Sequence, residues 1–359
     1  MNTDFHSLRV SHVRPDTDEA VIVQFDVPDA LRESFCFAPG QHLTLRHEIE
    51  GKEHRRSYSI CAGMDDGALR IGVRKVPGGV FSSWISEHLK AGDAVQVMAP
   101  QGRFCTLQEA KESRHYLGIA GGSGITPILS IMKTVLAREP ESRFTLIYGN
   151  RFQKSTMFKE ELEDLKNRYL TRLVLHHVFS REHMDAPLNS GRMTRDKFGE
   201  FLRTVIDPQT IDHVFVCGPY EVNDEAEAAL LEAGIPAGHI HIERFGVPLP
   251  AAGAPIQPPR REGDAEHARV VIVRDGVRRE IEFREDHPSI LDAAAAAGLE
   301  VPFSCKSGVC CTCRARLLEG EVRMDRNFAL EKHEVAAGYV LTCQAHPLTE
   351  RVVLSFDER

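Results

Sequence analysis

The chain has 359 residues, a formal net charge of -8 and a pI near 6.1, with 42% hydrophobic and 27% charged residues. That is ordinary for a globular protein of two or three domains, and it carries no basic footprint for nucleic acid or an anionic membrane. No apolar run approaches the ~20 residues of a membrane helix, and Met1–Ser7 lacks the basic and apolar regions of a secretory signal, so the expectation is a cytoplasmic protein with no nucleic-acid or membrane partner.

Residues 1–112 read as β-rich. Leu8–Val13, Val21–Phe25 and Leu43–Arg46 are short strand-type runs, and Pro39-Gly40 and Asp66-Gly67 supply turns. Strands at this spacing predict a small antiparallel barrel, with one helix over about Val80–Leu89 after Gly78-Gly79. Two patches carry chemistry. In Arg56-Ser57-Tyr58-Ser59, an arginine suited to a phosphate precedes an aromatic on the same strand face and then a hydroxyl. In Lys75–Ser82, glycines open the N-terminus of a helix to a pyrophosphate, and Ser82 adds a hydroxyl. Taken singly, they are also a solvated arginine, a half-buried tyrosine and a plain turn. Trp84 reads as helix packing.

Residues 113–247 alternate strand and helix, the pattern of a parallel sheet covered on both faces. Strands are expected at His115–Ala120, Phe144–Tyr148, Arg172–Phe179, Val214–Cys217 and Ile240–Ile242. The first runs into Gly121-Gly122-Ser123-Gly124-Ile125-Thr126-Pro127, a generic place for a dinucleotide pyrophosphate that lacks the G-x-G-x-x-G fingerprint. Cys217-Gly218-Pro219 follows the fourth strand. His176 and His177 are adjacent on a strand, point to opposite faces and do not chelate as a pair.

Residues 248–267 are a Pro-rich linker, about 60 Å long if fully extended. Residues 268–359 begin with a hairpin turning at Asp275-Gly276. A helix over Ile290–Ala297 follows, capped by Ser289 and stopped by Gly298, with strands near Arg314–Leu318 and Val352–Phe356. Between them lies Cys305-Lys306-Ser307-Gly308-Val309-Cys310-Cys311-Thr312-Cys313. Cys305, Cys310 and Cys313, with the distant Cys343, have the C-x4-C-x2-C…C spacing of a plant-type [2Fe–2S] site. Zinc usually takes two short C-x2-C pairs, and a Rieske centre needs a C-x-H partner to Cys343–His346 that the chain lacks. Cys311 is read as an unligated thiol packed behind the loop.

Together, the first two regions resemble the ferredoxin–NADP reductase superfamily. The resemblance implies that Arg56 holds flavin phosphate, Tyr58 packs on the flavin and Ser59 lies near N5, with Gly78, Gly79 and Ser82 at the pyrophosphate. It implies a dinucleotide site at Gly121, Gly122, Gly124 and Thr126, with Cys217 and Gly218 at the nicotinamide and Glu243 and Phe245 near the flavin–nicotinamide contact. Ser180 and Arg181, assisted by Arg192, match the 2′-phosphate grip of NADPH-using members, and no carboxylate stands at position 180. The last region resembles the β-grasp ferredoxins. The implied fold is therefore multidomain: an antiparallel β-barrel flavin domain (1–112), an α/β parallel-sheet nicotinamide domain (113–247), the linker, and an α+β β-grasp ferredoxin domain (268–359).

The order of these domains is similar to that of the reductase components of bacterial multicomponent oxygenases. Within that group, Arg55–Cys61, Cys305–Cys313 and Val335–Pro347 look close to the family of phenylacetyl-CoA epoxidase reductase subunits. That likeness implies electron flow from NADPH through FAD and a [2Fe–2S] cluster to the di-iron oxygenase subunits of a multicomponent complex in phenylacetate catabolism. Two other readings stay open: a reductase serving a Rieske-type aromatic or steroid hydroxylase, and a non-catalytic electron carrier or redox sensor.

Overall fold

A computed structural model describes residues 4–105, 113–246 and 261–358. Most of the Pro-rich stretch lies outside the described residues. Two compact units divide the chain near Gly246.

The first unit opens with a six-stranded antiparallel sheet: β1 (Phe5–Thr17), β2 (Ala20–Asp26), β3 (His42–Ile49), β4 (Lys52–Ser59), β5 (Leu69–Arg74) and β6 (Ala94–Met98). Their order is β4-β3-β6-β1-β2-β5. A bridge between Ile60 and Ile71 joins the two ends and closes the barrel. Alternating residues such as Leu43 and Leu45, or Ile71 and Val73, fill the interior, which helix α1 (Val80–Glu87) plugs with Phe81 and Ile85. Trp84 packs against this core and stacks on His47, with ring centroids 3.9 Å apart. It does serve helix packing.

The same unit continues into a five-stranded sheet made of β7 (His115–Gly121), β8 (Arg143–Asn150), β9 (Leu173–Phe179), β10 (His213–Gly218) and β11 (Ile240–Arg244). All pairings are parallel, in the order β11-β10-β7-β8-β9. Every residue of β7 is buried, as expected for a central strand covered on both faces. Helices α2 (Ile125–Arg138) and α3 (Lys159–Arg168) cover one face, and α4 (Arg195–Thr204) and α5 (Tyr220–Glu232) the other. The chain reverses direction across the sheet at β7, so the carboxyl ends of β7 and β10 form its switch point, where such sheets bind ligands.

Barrel and parallel sheet are fastened by a mostly buried ionic knot. Glu161 Oε1 accepts from Arg70 at 2.8 Å and Lys133 at 2.6 Å, and Asp66 Oδ2 accepts from Lys133 at 2.5 Å. Ser130 adds a bond to Ala62 O at 2.6 Å. With opposite charges matched, most of the desolvation cost of burying them is recovered.

The second unit has β12 (His267–Arg274), β13 (Val277–Arg284), α6 (Ile290–Ala296), β14 (Arg314–Glu319), β15 (Val322–Met324), α7 (Lys332–Ala336), β16 (Tyr339–Leu341), β17 (Ala345–Pro347) and β18 (Arg351–Ser355). The sheet β13-β12-β18-β14-β16 packs against α6, and β15 pairs with β17. Ser289 caps α6 by accepting from Asp292 N at 3.2 Å. Within the expected linker, 248–267, the described residues already make contacts with the last region. Asp264 is gripped by Arg323, and Ala265 N donates to Pro347 O at 2.9 Å.

Candidate functional site

The barrel places Ser59 at the end of β4, 4% exposed, opposite His42 of β3. Cys217 ends β10 and is a register partner of Glu243 on β11. These three positions, far apart in sequence, meet at one spot. Ser59 Oγ donates to Glu243 Oε2 at 3.5 Å, and the Glu243 carboxyl lies close enough to the buried Cys217 thiol to oppose its ionisation. Asn223 Nδ2, donating to Glu243 O at 3.1 Å, fixes the strand edge. Burial pushes the Glu243 carboxyl up to about 8, with the Ser59 hydroxyl opposing the shift, and raises the Cys217 thiol further from ionisation. At neutral pH the spot holds an un-ionised acid, an un-ionised thiol and a hydroxyl, which is suited to an uncharged flat ring and hostile to stray anions.

Tyr58 is half-buried beside Phe81, and Arg56 is exposed. Gly78 takes φ +72°, open to left-handed backbone, and α1 starts with no side-chain cap, so its first N–H groups are free to meet an anion. Ser82 is engaged inside the turn. It accepts from Val76 N at 3.1 Å and donates to Gly79 O at 3.3 Å, so it shapes the loop.

At the switch point, the loop after β7 lies directly on the loop after β10. A Cβ on Gly124 would fall 2.0 Å from Cys217 O, and one on Gly121 2.6 Å from Pro219 Cδ. Those glycines are present for contact between the loops, while Gly122, at φ +54°, turns the backbone. Thr126 Oγ1 closes the turn on Ser123 O at 3.0 Å. A cavity of about 1150 Å³ opens here, lined by Gly121, Gly122, Ser180, Arg181 and Arg192. Arg181 makes no ion pair among the described residues. Glu182 instead accepts from Gln153 N at 2.8 Å, and Arg192 pairs with Glu221 at 2.9 Å. Phe245 is 45% exposed, just beyond β11.

In the second unit, the four expected thiols gather as two pairs. Cys305 lies against Cys310 and Cys313 against Cys343, and within each pair the neighbouring sulfur pushes one thiol's ionisation down and the other's up. Ser307 N donates to Cys305 Sγ at 3.4 Å. Among the described residues no three ligating side chains converge as a metal-ion site; four cysteines are a donor set that fits an iron–sulfur cluster, and their C-x4-C-x2-C…C spacing is that of the [2Fe–2S] type. Cys311, at φ +55°, turns away and donates to Ala329 O at 3.1 Å. His346 is bound to Asp325 at 2.7 Å.

Known proteins agree with this layout. Residues 9–105 match the model of an oxidoreductase FAD-binding domain, 119–227 an oxidoreductase NAD-binding domain, and 272–348 a 2Fe-2S iron-sulfur cluster binding domain. The chain is 44% identical to a subunit of the 1,2-phenylacetyl-CoA epoxidase of Escherichia coli (strain K12), covering 99% of both chains. The chain belongs to that family of oxygenase reductases.

It is also 33% identical to the ferredoxin reductase component of 3-ketosteroid-9-alpha-monooxygenase from Rhodococcus rhodochrous, over 97% of this chain and 96% of that one. The solved structure of phthalate dioxygenase reductase shares its fold, with TM-score 0.60, 24% identity and 98% of each chain covered. The reductase is thus an oxidoreductase with FAD, NAD-type nucleotide and [2Fe–2S] domains, of a kind that serves oxygenase partners. None of its described helices is long and apolar enough to cross a membrane.

Sequence reasoning missed two residues at the nucleotide cavity. The Arg74 guanidinium leaves the barrel and reaches to 3.0 Å from where a Cβ on Gly122 would lie, held by Glu19 at 2.7 Å. An arginine just ahead of the Lys75–Gly79 turn was a usable signal. Asn150 ends β8 with its carboxamide buried and neither end hydrogen-bonded among the described residues, beside the Tyr148 hydroxyl, which donates to Gly122 O at 3.0 Å. Only the fold reveals it.

The raised Glu243 acid has a signed consequence. The fold holds the proton between the usual 4.5 and about 8, so stability falls as pH rises through that window and is flat above it. Glu243→Gln removes that dependence. Urea unfolding of the FAD-saturated reductase at pH 5 and pH 9 is expected to show a smaller loss for the variant than for the parent protein.

Proposed function

We propose that the reductase oxidises NADPH and delivers single electrons to the di-iron oxygenase subunits of a phenylacetyl-CoA epoxidase, in the cytoplasm. The observation that carries this reading is the meeting of Ser59, Cys217 and Glu243 between barrel and parallel sheet, in a chain that also supplies two thiol pairs. A bound flavin takes electrons as a hydride pair and releases them singly, which is what couples a nicotinamide to an iron–sulfur cluster. The choice of epoxidase rests on the 44% identity over 99% of both chains.

In this reading the flavin domain is 1–112, the nicotinamide domain 113–247, the linker 248–267 and the ferredoxin domain 268–359. Arg56 takes a flavin phosphate, Tyr58 lies against the ring, and the backbone at Gly78 and Gly79, shaped by Ser82, meets the pyrophosphate. Gly121, Gly122 and Gly124, with Thr126 and Gly218, form the nicotinamide dinucleotide loops. Cys217 and Phe245 border the nicotinamide, and Ser59 and Glu243 fix its approach and keep the spot uncharged. Ser180 and the unpaired Arg181 meet the 2′-phosphate. Cys305, Cys310, Cys313 and Cys343 hold the cluster.

Three outcomes are expected. Cys305→Ser leaves NADPH-dependent flavin bleaching within about twofold and abolishes cytochrome c reduction through the cluster; equal loss of both steps refutes the division of labour. Arg181→Ala raises KM for NADPH by roughly tenfold, as for one lost charge-assisted contact, and leaves KM for NADH nearly unchanged. In reconstitution, the reductase supports substrate oxidation by the di-iron epoxidase subunits. Support for a Rieske terminal oxygenase instead would reassign the partner, in line with the 33% identity to the ketosteroid monooxygenase component.

A further inference from the structure

Gln344 follows the fourth thiol in sequence and is 8% exposed. Its Nε2 has three acceptors around it: Lys306 O at 3.1 Å, Cys343 O at 2.8 Å and Cys343 Sγ at 3.5 Å. Two of these are carbonyl oxygens, which only accept, so the amide nitrogen must face the loop and the carboxamide orientation is settled by its neighbours. The bond to Lys306 O spans 38 positions and joins the two halves of the thiol set. It lands on a strained residue, since Lys306 holds φ +53° without being glycine. The aliphatic part of Gln344 also packs under Gly308, where a Cβ would lie 3.2 Å from Gln344 Cγ.

An amide with two hydrogens and three acceptors shares them according to acceptor strength. A neutral thiol is the weakest of the three, whereas a metal-ligated thiolate is a far stronger acceptor. We propose that Gln344 is a positioning residue of the iron–sulfur site: its side-chain N–H donates to the Cys343 sulfur and raises the cluster's reduction potential, while its second hydrogen fixes the Lys306 turn of the opposite thiol loop. Donation to a ligand sulfur favours the more negative, reduced cluster, so it moves the potential upward. The Ser307 and Thr312 hydroxyls serve the Cys305–Cys310 pair, whereas at Cys343 the donor beside Gln344 is the backbone of Gly308, which substitution does not remove. Gln344 is therefore the adjustable donor on the Cys313–Cys343 side.

This inference rests on Cys305, Cys310, Cys313 and Cys343 holding the cluster, and its test separates the two. Gln344→Leu and Gln344→Met keep the bulk and remove the donor. In the holoprotein, an EPR-monitored redox titration is expected to give a more negative cluster midpoint in both. At the parent protein's midpoint, the ratio of reduced to oxidised cluster should fall roughly fivefold, the effect of one net hydrogen bond, with the flavin midpoint unchanged. A full cluster with an unmoved midpoint in either variant overturns the proposal. If neither variant retains its cluster, the parent protein decides. Labelled with ¹⁵N in the glutamine side chains, its reduced cluster should show a ¹⁵N coupling by pulsed EPR, and absence of that coupling overturns the proposal equally. Persistence of the cluster signal in Cys343→Ala would instead refute the ligand set.

Discussion

The molecule depends on one steric allowance: the backbone after β7 touches the backbone after β10. With Gly124 close enough to Cys217 O that a methyl group would overlap it, the two loops cannot separate without opening the nucleotide cavity, nor approach further. This contact sets the height of Cys217, and strand register then sets Glu243 beside it. The barrel must dock so that Ser59 arrives at the same point, which the Glu161 knot and the Ser130 bond ensure from the far side of α2. A chain of backbone and ionic constraints thus delivers three side chains from positions 59, 217 and 243 to one spot without a dedicated loop.

Much of this was legible in the residues. Period-2 alternation in β3 and β5, the continuous apolar run of β7 and the glycine turns carry their structure locally, because burial and left-handed backbone leave direct marks on composition. The thiol spacing was legible for the same reason, as one loop must wrap a compact donor set. The roles within those motifs were less so. Ser82 reads as a phosphate hydroxyl until its two bonds inside the turn are seen. Arg74 and Gln344 owe their importance to partners tens of positions away. Sequence pattern records what a residue does to its own segment and is nearly blind to what it meets across the fold.

The charges follow a consistent scheme. Where the nicotinamide would meet the flavin, burial keeps Glu243 and Cys217 protonated, so no fixed charge opposes a transfer between neutral rings. Around the cavity rim, by contrast, the arginines at 74, 181 and 192 would suit a ligand that carries its charge on phosphates. At the thiols, Ser307 N and the Gln344 amide stand within reach of sulfur, placed to offset negative charge there in the proposed cluster. Each part of the path is matched to the charge of what passes through it.

The division into two compact units gives the molecule two unequal ways to fail. The residues proposed to handle the nucleotide lie before Gly246, and the four thiols proposed as ligands after it. Damage to the first unit simply silences the protein. Damage confined to the second leaves the nucleotide-oxidising half complete but without its outlet, so reducing power is consumed and escapes to whatever small oxidant is at hand. In that proposed scheme, the ring of bonds around the Cys343 loop, with Asp264 gripped by Arg323, would guard against leakage as well as hold the fold.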